Sequence, residues 1–153
     1  MKYSKKICIF TGNRAEYGLL KPLIIKINSQ KNFDTTLLIS GAHLQQEFGK
    51  TIKEIKNDKI KKYKLVDISG KYKKEENFNS LIIGNAIMKI SSVLKTINPD
   101  IFVVYADRFE GLAAVVASTQ MNIPTVHVEG GDITEGGALD DNVRHAMTKL
   151  SHF

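Results

Sequence analysis

The feature that most constrains the fold is a regular alternation, along the whole chain, of short apolar runs with segments of helical periodicity. The apolar runs are residues 6–12, 33–40, 62–68, 100–106 and 123–130. Between them, apolar residues recur at spacings of three and four, as on one face of an α-helix. Strands that alternate with helices run parallel, because a parallel pair needs a crossover connection. The pattern therefore predicts an α/β fold with a doubly wound, mostly parallel sheet.

The same periodicity predicts which side of each helix faces the sheet. The predicted inward faces of the five helices are, in chain order, Leu19, Leu20, Leu23, Ile24 and Ile27; Leu44, Phe48, Ile52 and Ile55; Ile83, Ile87, Ile90, Leu94 and Ile97; Phe109, Leu112, Ala113, Val116 and Ala117; and Val143, Ala146, Met147 and Leu150. The run 101–105 is apolar at every position, as in a central strand covered on both faces. We therefore expect helices on both sides of the sheet.

Length and composition are those of one globular domain. A chain of 153 residues can bury a single hydrophobic core, and no repeat or linker divides it. The sequence offers no apolar run of the length that crosses a bilayer, and its first ten residues lack the cleavage site of a signal peptide. The one cysteine, Cys8, is expected to pack inside the first strand, which excludes disulfide and zinc frameworks within the chain. We therefore expect a cytoplasmic protein with no membrane partner.

A lysine-rich segment, residues 50–74, carries most of the net charge of +6. This charge invites a nucleic-acid-binding interpretation, but the segment lacks regularly interleaved aromatic residues and matches no nucleic-acid-binding module. We therefore predict a solvated surface and no nucleic-acid partner. An alternative is that its positive field draws in an anionic substrate.

Charged side chains gather where three of the predicted strands end. Because ligands of open parallel sheets bind beyond the carboxyl ends of the strands, we expect one site there. Carboxylates held close together raise one another's pKa, so that one group can act as an acid and another as a base. Arginines nearby would suit a phosphate group, so we predict acid–base chemistry on an anionic, phosphorylated substrate. The residues concerned are Asp107, Glu129, Asp132, Glu135, Asp140, Asp141, Arg14, Arg108 and Arg144.

Each of these residues also has a structural interpretation. Asp107 could cap the helix that follows it, and Asp140 or Asp141 could cap the last helix. Arg14 could form a structural salt bridge. His127 is expected to be a hydrogen-bonded core residue; a metal site shared with Glu129 is the alternative, but no third ligand has a recognisable spacing.

The glycine pattern matches no nucleotide fingerprint. The segment GNRAEYG, residues 12–18, lacks the second and third glycines of a dinucleotide-binding turn, and the chain has no Walker lysine motif. The glycines at 130, 131, 136 and 137 suit a loop that approaches a ligand closely, although turn geometry alone would also explain them.

Four long segments carry a resemblance to a known family. They are TGNRAEYGLLKPL, YADRFEGLAAVVAS, IPTVHVEGGDITEGG and DDNVRHAMTKLSHF. They resemble the N-terminal half of the hydrolysing UDP-N-acetylglucosamine 2-epimerases, whose relatives act on UDP-2,4-diacetamido-2,4,6-trideoxyglucose or a GDP-linked sugar. The resemblance covers essentially the whole chain. The DRFE and RHAxTKLSH signatures favour the hydrolysing branch, the type used in sialic acid and legionaminic acid biosynthesis.

The resemblance implies a domain organisation. Residues 1–153 would be the N-terminal Rossmann-like domain of a glycosyltransferase-B-type enzyme, and the second, nucleotide-binding domain would be absent from this chain. The family's enzymes are more than twice as long, which implies a truncated gene, a split reading frame or one domain taken from a larger protein, inactive by itself. The full-length enzyme would be a homo-oligomer. The alternative is a truncated, non-catalytic module for sugar-nucleotide binding or assembly.

The resemblance also implies a reaction that needs no metal and no cofactor. The nucleoside diphosphate is lost by elimination across C1 and C2, and water adds to the resulting 2-acetamidoglycal. The product is a free sugar with inverted C2, such as N-acetylmannosamine. The loop TEGGALDD is slightly longer than the family's usual pattern, which leaves two adjacent aspartates as candidates. The implied catalytic residues are Asp107, Glu129, Asp140 and Asp141, and the implied substrate-binding residues are Arg14, Glu16, Arg108 and Arg144.

Overall fold

The computed structural model describes residues 4–49, 51–58, 60, 62–70 and 78–153 as a sheet flanked by helices. Two single 3₁₀ turns, Gly41–His43 and Gln46–Phe48, follow the second strand. The strands are β1 (Lys5–Thr11), β2 (Phe33–Ser40), β3 (Tyr63–Val66), β4 (Ile101–Tyr105) and β5 (Thr125–Val128), and the α-helices are α1 (Arg14–Asn28), α2 (Ile52–Asn57), α3 (Phe78–Ile97), α4 (Phe109–Gln120) and α5 (Leu139–Leu150).

All five strands are parallel, in the order β3-β2-β1-β4-β5. The doubly wound α/β prediction is therefore confirmed, as are all five predicted strands. Cys8 at the centre of β1 pairs with Thr36 of β2 on one side and with Phe102 of β4 on the other. Strands β2 and β3 are added on one side of β1, and β4 and β5 are then added on the other side. The loops after β1 and β4 consequently diverge and leave a crevice between them, the position at which such sheets bind ligands.

Alternate residues of the strands serve two separate cores, one on each face of the sheet. One face of β1 and β4 packs against α3 and α4, and the other packs against α1 and α2. The first core includes Cys8, Phe10, Phe102, Val104, Ile90 and Met147. The second includes Ile7, Ile9, Val103, Leu20, Ile24 and Ile55. The predicted covering of β4 on both faces is therefore confirmed. Burial raises the pKa of Cys8 to about 12, in keeping with a packing role for this thiol.

The single helix predicted from Leu44, Phe48, Ile52 and Ile55 is wrong. The chain instead makes the two 3₁₀ turns before α2, and Phe48 is exposed. The physical reason is Gly49, whose φ of 75° places it in the left-handed region and ends the second turn. Only Ile55 of the predicted set is fully buried.

Other predicted helix faces need smaller corrections. In α1, Leu19 and Leu23 are exposed, because the buried stripe runs through Tyr17, Leu20 and Ile24. In α5, Met147 is fully buried whereas Ala146 is exposed. Helix α4 lies between α3 and α5, and of its predicted inward face only Ala113 and Ala117 are fully buried, whereas Phe109, Leu112 and Val116 are half-buried. Its other buried residues are Glu110, Gly111, Ala114, Val115 and Ser118.

The prediction that no segment could cross a bilayer is corrected at α3. Its twenty residues are long and apolar enough to do so by length and composition. In the structure, one side of α3, with Ile82, Ala86, Ile90 and Leu94, belongs to the first core. A core helix of a globular domain passes the same test of length and composition.

The lysine-rich segment is described only in part, since Lys50, Lys59, Lys61 and residues 71–77 lie outside the described residues. Within the described part, the prediction of a solvated surface is confirmed. Lys53, Lys56, Lys62 and Lys64 are all exposed, and Lys62 forms an exposed ion pair with Asp34 at 2.7 Å.

Gly41 and Gly49 form a matched pair that tests how tightly the loop after β2 meets the loop after β1. Both have a positive φ, but a Cβ at Gly41 would lie 2.6 Å from the carbonyl oxygen of Gly12, whereas a Cβ at Gly49 meets nothing within 4 Å. We expect Gly49→Ala to cost about 1–2 kcal/mol from the backbone conformation alone. Gly41→Ala should cost roughly 3 kcal/mol or more, because two backbone segments must separate. Urea denaturation measures both values, and equal losses would contradict the described contact.

Candidate active site

The loop after β1 is organised by a reciprocal cap at the start of α1. The backbone N–H of Glu16 donates to the side-chain oxygen of Asn13 at 3.1 Å, and the N–H of Gly12 donates to Oε2 of Glu16 at 2.6 Å. This resembles a capping box, in which a side chain at the helix start and one three residues later satisfy exposed N–H groups. Glu16 is thereby held at the edge of the crevice, and only 5% of it is exposed.

The buried His43 packs against this loop and hydrogen-bonds to residues on two neighbouring segments. In His43, Nε2 lies 3.0 Å from Oγ1 of Thr11 and Nδ1 lies 2.7 Å from Oγ1 of Thr51. Its ring also meets Tyr17 edge-on, at 6.2 Å between centroids. Burial lowers the pKa of His43 to about 4, so the imidazole is neutral at physiological pH. His43 therefore ties the first loop to the segment that precedes α2.

The ends of β4 and β5 are fixed to each other. The N–H of Ala106 donates to the carbonyl of Val128 at 3.0 Å. The carbonyl of Ala106 accepts from Nε2 of His127 at 2.6 Å, and Nδ1 of His127 lies 3.0 Å from Oγ1 of Thr148 in α5. The prediction of His127 as a hydrogen-bonded core residue is therefore confirmed. Both ring nitrogens are engaged, and no group of three potential ligands is found among the described residues.

Two residues at these strand ends adopt left-handed backbone conformations without being glycine. The φ of both Ala106 and Glu129 is 58°. Such conformations are uncommon and tend to cluster at functional sites. Glu129 directly follows β5 in this conformation, at the edge of the sheet where the candidate site lies.

Arg144 of α5 joins the loop after β4 to the loop after β5. Its guanidinium donates to Oδ2 of Asp107, to Oδ1 of Asp141 at 3.1 Å and to the carbonyl of Asp132 at 3.0 Å. The Arg144 side chain is only 14% exposed. The capping alternative for Asp107 is therefore wrong, because this carboxylate binds Arg144; the N-cap of α4 is Arg108.

The two adjacent aspartates of α5 have different environments. Asp141 accepts hydrogen bonds from the N–H of Thr134 at 3.1 Å and from its hydroxyl at 2.7 Å, and these bonds hold the pKa of Asp141 below its usual value. Asp140 is exposed. Neither residue is the N-cap of α5, which is Ala138, so the capping alternative is wrong for both; they lie in the first turn, where the helix dipole favours negative charge.

A cleft of about 260 Å³ occupies the crevice between the loops after β1 and β4. Four predicted site residues, Glu16, Asp107, Arg108 and Asp140, line it, together with Tyr105 and the exposed Leu19 among others. Glu129, Asp141 and Arg144 are not among its lining residues. They act on it indirectly, since Arg144 binds both Asp107 and Asp141, and Glu129 lies near Tyr105. Burial and the neighbouring Glu129 raise the pKa of Tyr105 to about 12.

The two remaining predicted arginines border adjoining clefts. Arg108 lines the cleft of about 260 Å³ described above and also two neighbouring clefts, of about 400 and 170 Å³. It donates to both carboxylate oxygens of the buried Glu110, at 2.9 and 3.1 Å. Arg14 lines the cleft of about 400 Å³ and pairs with Glu54 at 2.9 Å, which confirms a salt bridge there. Both partners in that pair are exposed, so the pair is weak and Arg14 can turn toward an anion.

The predicted rise in carboxyl pKa falls on Glu16. Burial, reinforced by the negative charge of Glu110, raises the pKa of Glu16 to about 7. The pKa of Asp141, an acid–base candidate from the sequence, is instead lowered, because this carboxylate accepts hydrogen bonds from Thr134. The cleft thus holds a carboxyl group that is partly protonated at neutral pH beside other acidic groups.

Several functional residues were not predicted from the sequence. Asn13 and His43 shape the first loop, Tyr105 lines the cleft, and Glu110 binds Arg108. Glu110 carried a usable signal, since it is a charged residue on a helix that is otherwise apolar. Tyr105 carried none, because it ends an apolar strand.

Arg144 and Arg14 provide a matched test of these ion pairs. We expect Arg144→Met to lower the free energy of unfolding by about 2–4 kcal/mol, because two largely enclosed carboxylates lose their cation. Arg14→Met should cost less than about 1 kcal/mol, because its pair with Glu54 is exposed. Urea denaturation of both variants measures the difference. Similar small losses in both would show that Arg144 does not hold the two loops together.

Comparison with known proteins places these features in a family. The family model for UDP-N-acetylglucosamine 2-epimerase matches residues 25–153. The UDP-N,N'-diacetylbacillosamine 2-epimerase (hydrolyzing) of Legionella pneumophila is 32% identical over 97% of this chain. The GDP/UDP-N,N'-diacetylbacillosamine 2-epimerase (hydrolyzing) of Campylobacter jejuni is 37% identical over the same share. The chain spans 39% and 38% of the lengths of these two relatives.

The fold has a counterpart among solved structures. A crystal structure of the UDP-GlcNAc 2-epimerase of Neisseria meningitidis, bound to UDP-GlcNAc, superposes with a TM-score of 0.77 at 24% identity. The match covers 97% of this chain and 39% of that one, and it shows the shared fold. The family model extends over most of the chain, including the ends of β4 and β5 and all of α5. The chain therefore belongs to the UDP-N-acetylglucosamine 2-epimerase family.

Proposed function

We propose that residues 1–153 are the N-terminal, Rossmann-like domain of a hydrolysing 2-epimerase that acts on UDP-N-acetylglucosamine or on a UDP-2,4-diacetamido-2,4,6-trideoxyglucose. The observation that carries the proposal is the convergence of Asp107, Asp140 and Arg108 on one cleft, at the ligand-binding edge of the sheet, in a member of this family. The hydrolysing enzymes among its relatives support the choice of branch.

The first half of the proposed reaction is an anti-elimination. A carboxylate removes the hydrogen at C2, the C1–C2 double bond forms, and the bond from C1 to the diphosphate oxygen breaks to release UDP. The C2 hydrogen is not next to a carbonyl and is weakly acidic, so departure of the diphosphate carries much of the transition state. Cations that neutralise the leaving group therefore matter as much as the base.

Asp107 and Asp140 are the best-placed bases, because both line the cleft. The two hydrogen bonds from Arg144 to Asp107 and Asp141 fix the Asp107 carboxylate with respect to α5. Asp141 itself already accepts hydrogen bonds from Thr134 and Arg144, so we assign it to holding the loop. Glu129 would act next to Tyr105, from the neighbouring strand end.

The second half of the proposed reaction is hydration of the 2-acetamidoglycal. A protonated group delivers a proton to C2 from the face that inverts this centre, and water adds its oxygen to C1 with loss of a proton to a base. The net reaction converts the UDP-sugar and one water into UDP and the free 2-epimeric sugar, such as N-acetylmannosamine. Neither step calls for a metal or a nicotinamide.

Arg108 and Arg14 are proposed to meet the diphosphate. Both border the clefts beside the start of α1, where the helix dipole also favours an anion. A second domain, closing over the carboxyl edge of the sheet, would complete the nucleotide site. We further propose that the complete enzyme is a cytoplasmic homo-oligomer that serves sialic acid or legionaminic acid synthesis.

Asp107 and Asp132 offer a matched test of this proposal. Asp107 lines the cleft, whereas Asp132 is exposed and contributes only its backbone carbonyl to the contacts with Arg144 and His145. In the full polypeptide that contains this chain, we expect Asp107→Asn to lower kcat for UDP release by about 10²–10⁴-fold, the usual effect of losing an acid–base group. Asp132→Asn should stay within about twofold of wild type, as expected for an exposed residue away from the cleft.

UDP release from UDP-N-acetylglucosamine and from the diacetamido sugar is the measurement for both variants. Equal rates in Asp107→Asn and wild type would remove Asp107 from the chemistry. A wild-type polypeptide that binds these sugars but releases no UDP would instead support the non-catalytic binding module.

A further inference from the structure

We propose that Glu16 enters the cleft as a neutral carboxyl group and donates a hydrogen bond to the diphosphate of the substrate, so that nucleotide binding above neutral pH takes up one proton. The inference rests on the proposed function, because it assumes a diphosphate in this cleft. It concerns a residue that the family resemblance implied only as a substrate contact.

The geometry leaves one oxygen of Glu16 available to a ligand. Oε2 accepts the hydrogen bond from Gly12 at 2.6 Å. Within the described residues Oε1 has no hydrogen bond, yet it is not among the fully enclosed side-chain atoms that lack a partner. Glu16 also lines the cleft. The residue is thus almost completely buried, with one oxygen at the cleft surface.

The surroundings of Glu16 disfavour a negative charge. Among the described residues, the cation that acts on Glu16 is Arg108, and its guanidinium already donates two hydrogen bonds to Glu110. Burial and Glu110 together raise the pKa of Glu16 to about 7. The ionisable groups that face it are Glu110 from α4, Arg108 at the N-cap of α4, Asp107 after β4, Tyr105 from β4 and Asp140 from α5.

An anionic ligand strengthens this preference. A diphosphate next to an ionised Glu16 would place like charges together in a poorly solvated cleft, which raises the carboxyl pKa further. A neutral carboxyl group instead supplies an O–H donor, and such hydrogen bonds to phosphate oxygens are charge-assisted. The start of α1 and the two nearby arginines attract the diphosphate to this side of the cleft.

Glu16 could alternatively serve only as a cap for α1. Glu16→Gln separates the two roles, because glutamine keeps the acceptor for Gly12 and the donor toward the cleft but cannot ionise. Glu135→Gln is the matched control, since it removes one negative charge from an exposed position in the loop before α5.

The first measurement needs no ligand. A carboxyl group with a folded pKa above its unfolded value binds more protons in the folded state, so stability is lost as pH rises from the unfolded toward the folded pKa, here from about 4.5 to about 7. The Tm of Glu16→Gln relative to wild type should therefore increase between pH 5 and pH 8, whereas that of Glu135→Gln should not. A Tm difference for Glu16→Gln that is the same at both pH values would overturn the neutral carboxyl group.

The second measurement is calorimetric titration with UDP at pH 8, on the full polypeptide, in two buffers of different ionisation enthalpy. Wild type and Glu135→Gln should take up close to one proton more than Glu16→Gln. The Kd of wild type should also rise about fivefold more than that of Glu16→Gln between pH 7 and pH 8. Equal proton uptake in all three proteins would overturn the proposed role of Glu16 but not the proposed function. Failure of UDP to bind wild type would overturn the proposed function. In that case the pH dependence of Tm still tests whether Glu16 is neutral in the folded protein.

Discussion

The pairing of β1 with β2 on one side and β4 on the other decides where every functional side chain lies. Because α1 follows β1 on one face of the sheet and α4 follows β4 on the other, the loops after β1 and β4 separate at the carboxyl edge of the sheet. Glu16 enters the crevice from one loop, and Asp107 and Arg108 enter it from the other. Two buried histidines hold these loops in place, His43 behind the first and His127 beneath the second.

The electrostatics of the cleft follow from how few cations are available. Arg144 is shared between Asp107 and Asp141, and Arg108 is engaged by Glu110. These ion pairs place a guanidinium next to each of these carboxylates in a partly enclosed site. Glu16 is different, because burial, reinforced by the negative charge of Glu110, raises its pKa to about 7. A site arranged in this way holds both acidic and basic groups at one pH, as the proposed elimination and hydration require.

Much of the fold could be predicted from the sequence because strand and helix periodicities are local properties. The five strands, their parallel direction and the carboxyl-edge position of Asp107, Asp140 and Arg108 follow from them, whereas the order of the strands in the sheet was not predicted. The segment after β2 could not be predicted in this way, since the left-handed conformation of Gly49 interrupts an apolar spacing that looks helical. The raised pKa of Glu16 was also beyond sequence reasoning, because it depends on burial in the folded chain and on Glu110, which is distant in the sequence. Similarly, nothing local distinguishes Asp141, bound by Thr134, from the exposed Asp140.

The central claim is that this cleft supports elimination of a nucleoside diphosphate followed by hydration. The most direct test is proton NMR of the reaction of the full polypeptide with UDP-N-acetylglucosamine and its diacetamido counterpart in D₂O. The account predicts UDP and a free sugar with inverted C2 that carries solvent deuterium at C2, because a carboxylate removes the original hydrogen and the new one comes from solvent. A product that remains linked to UDP, or a free sugar that retains hydrogen at C2, would contradict it.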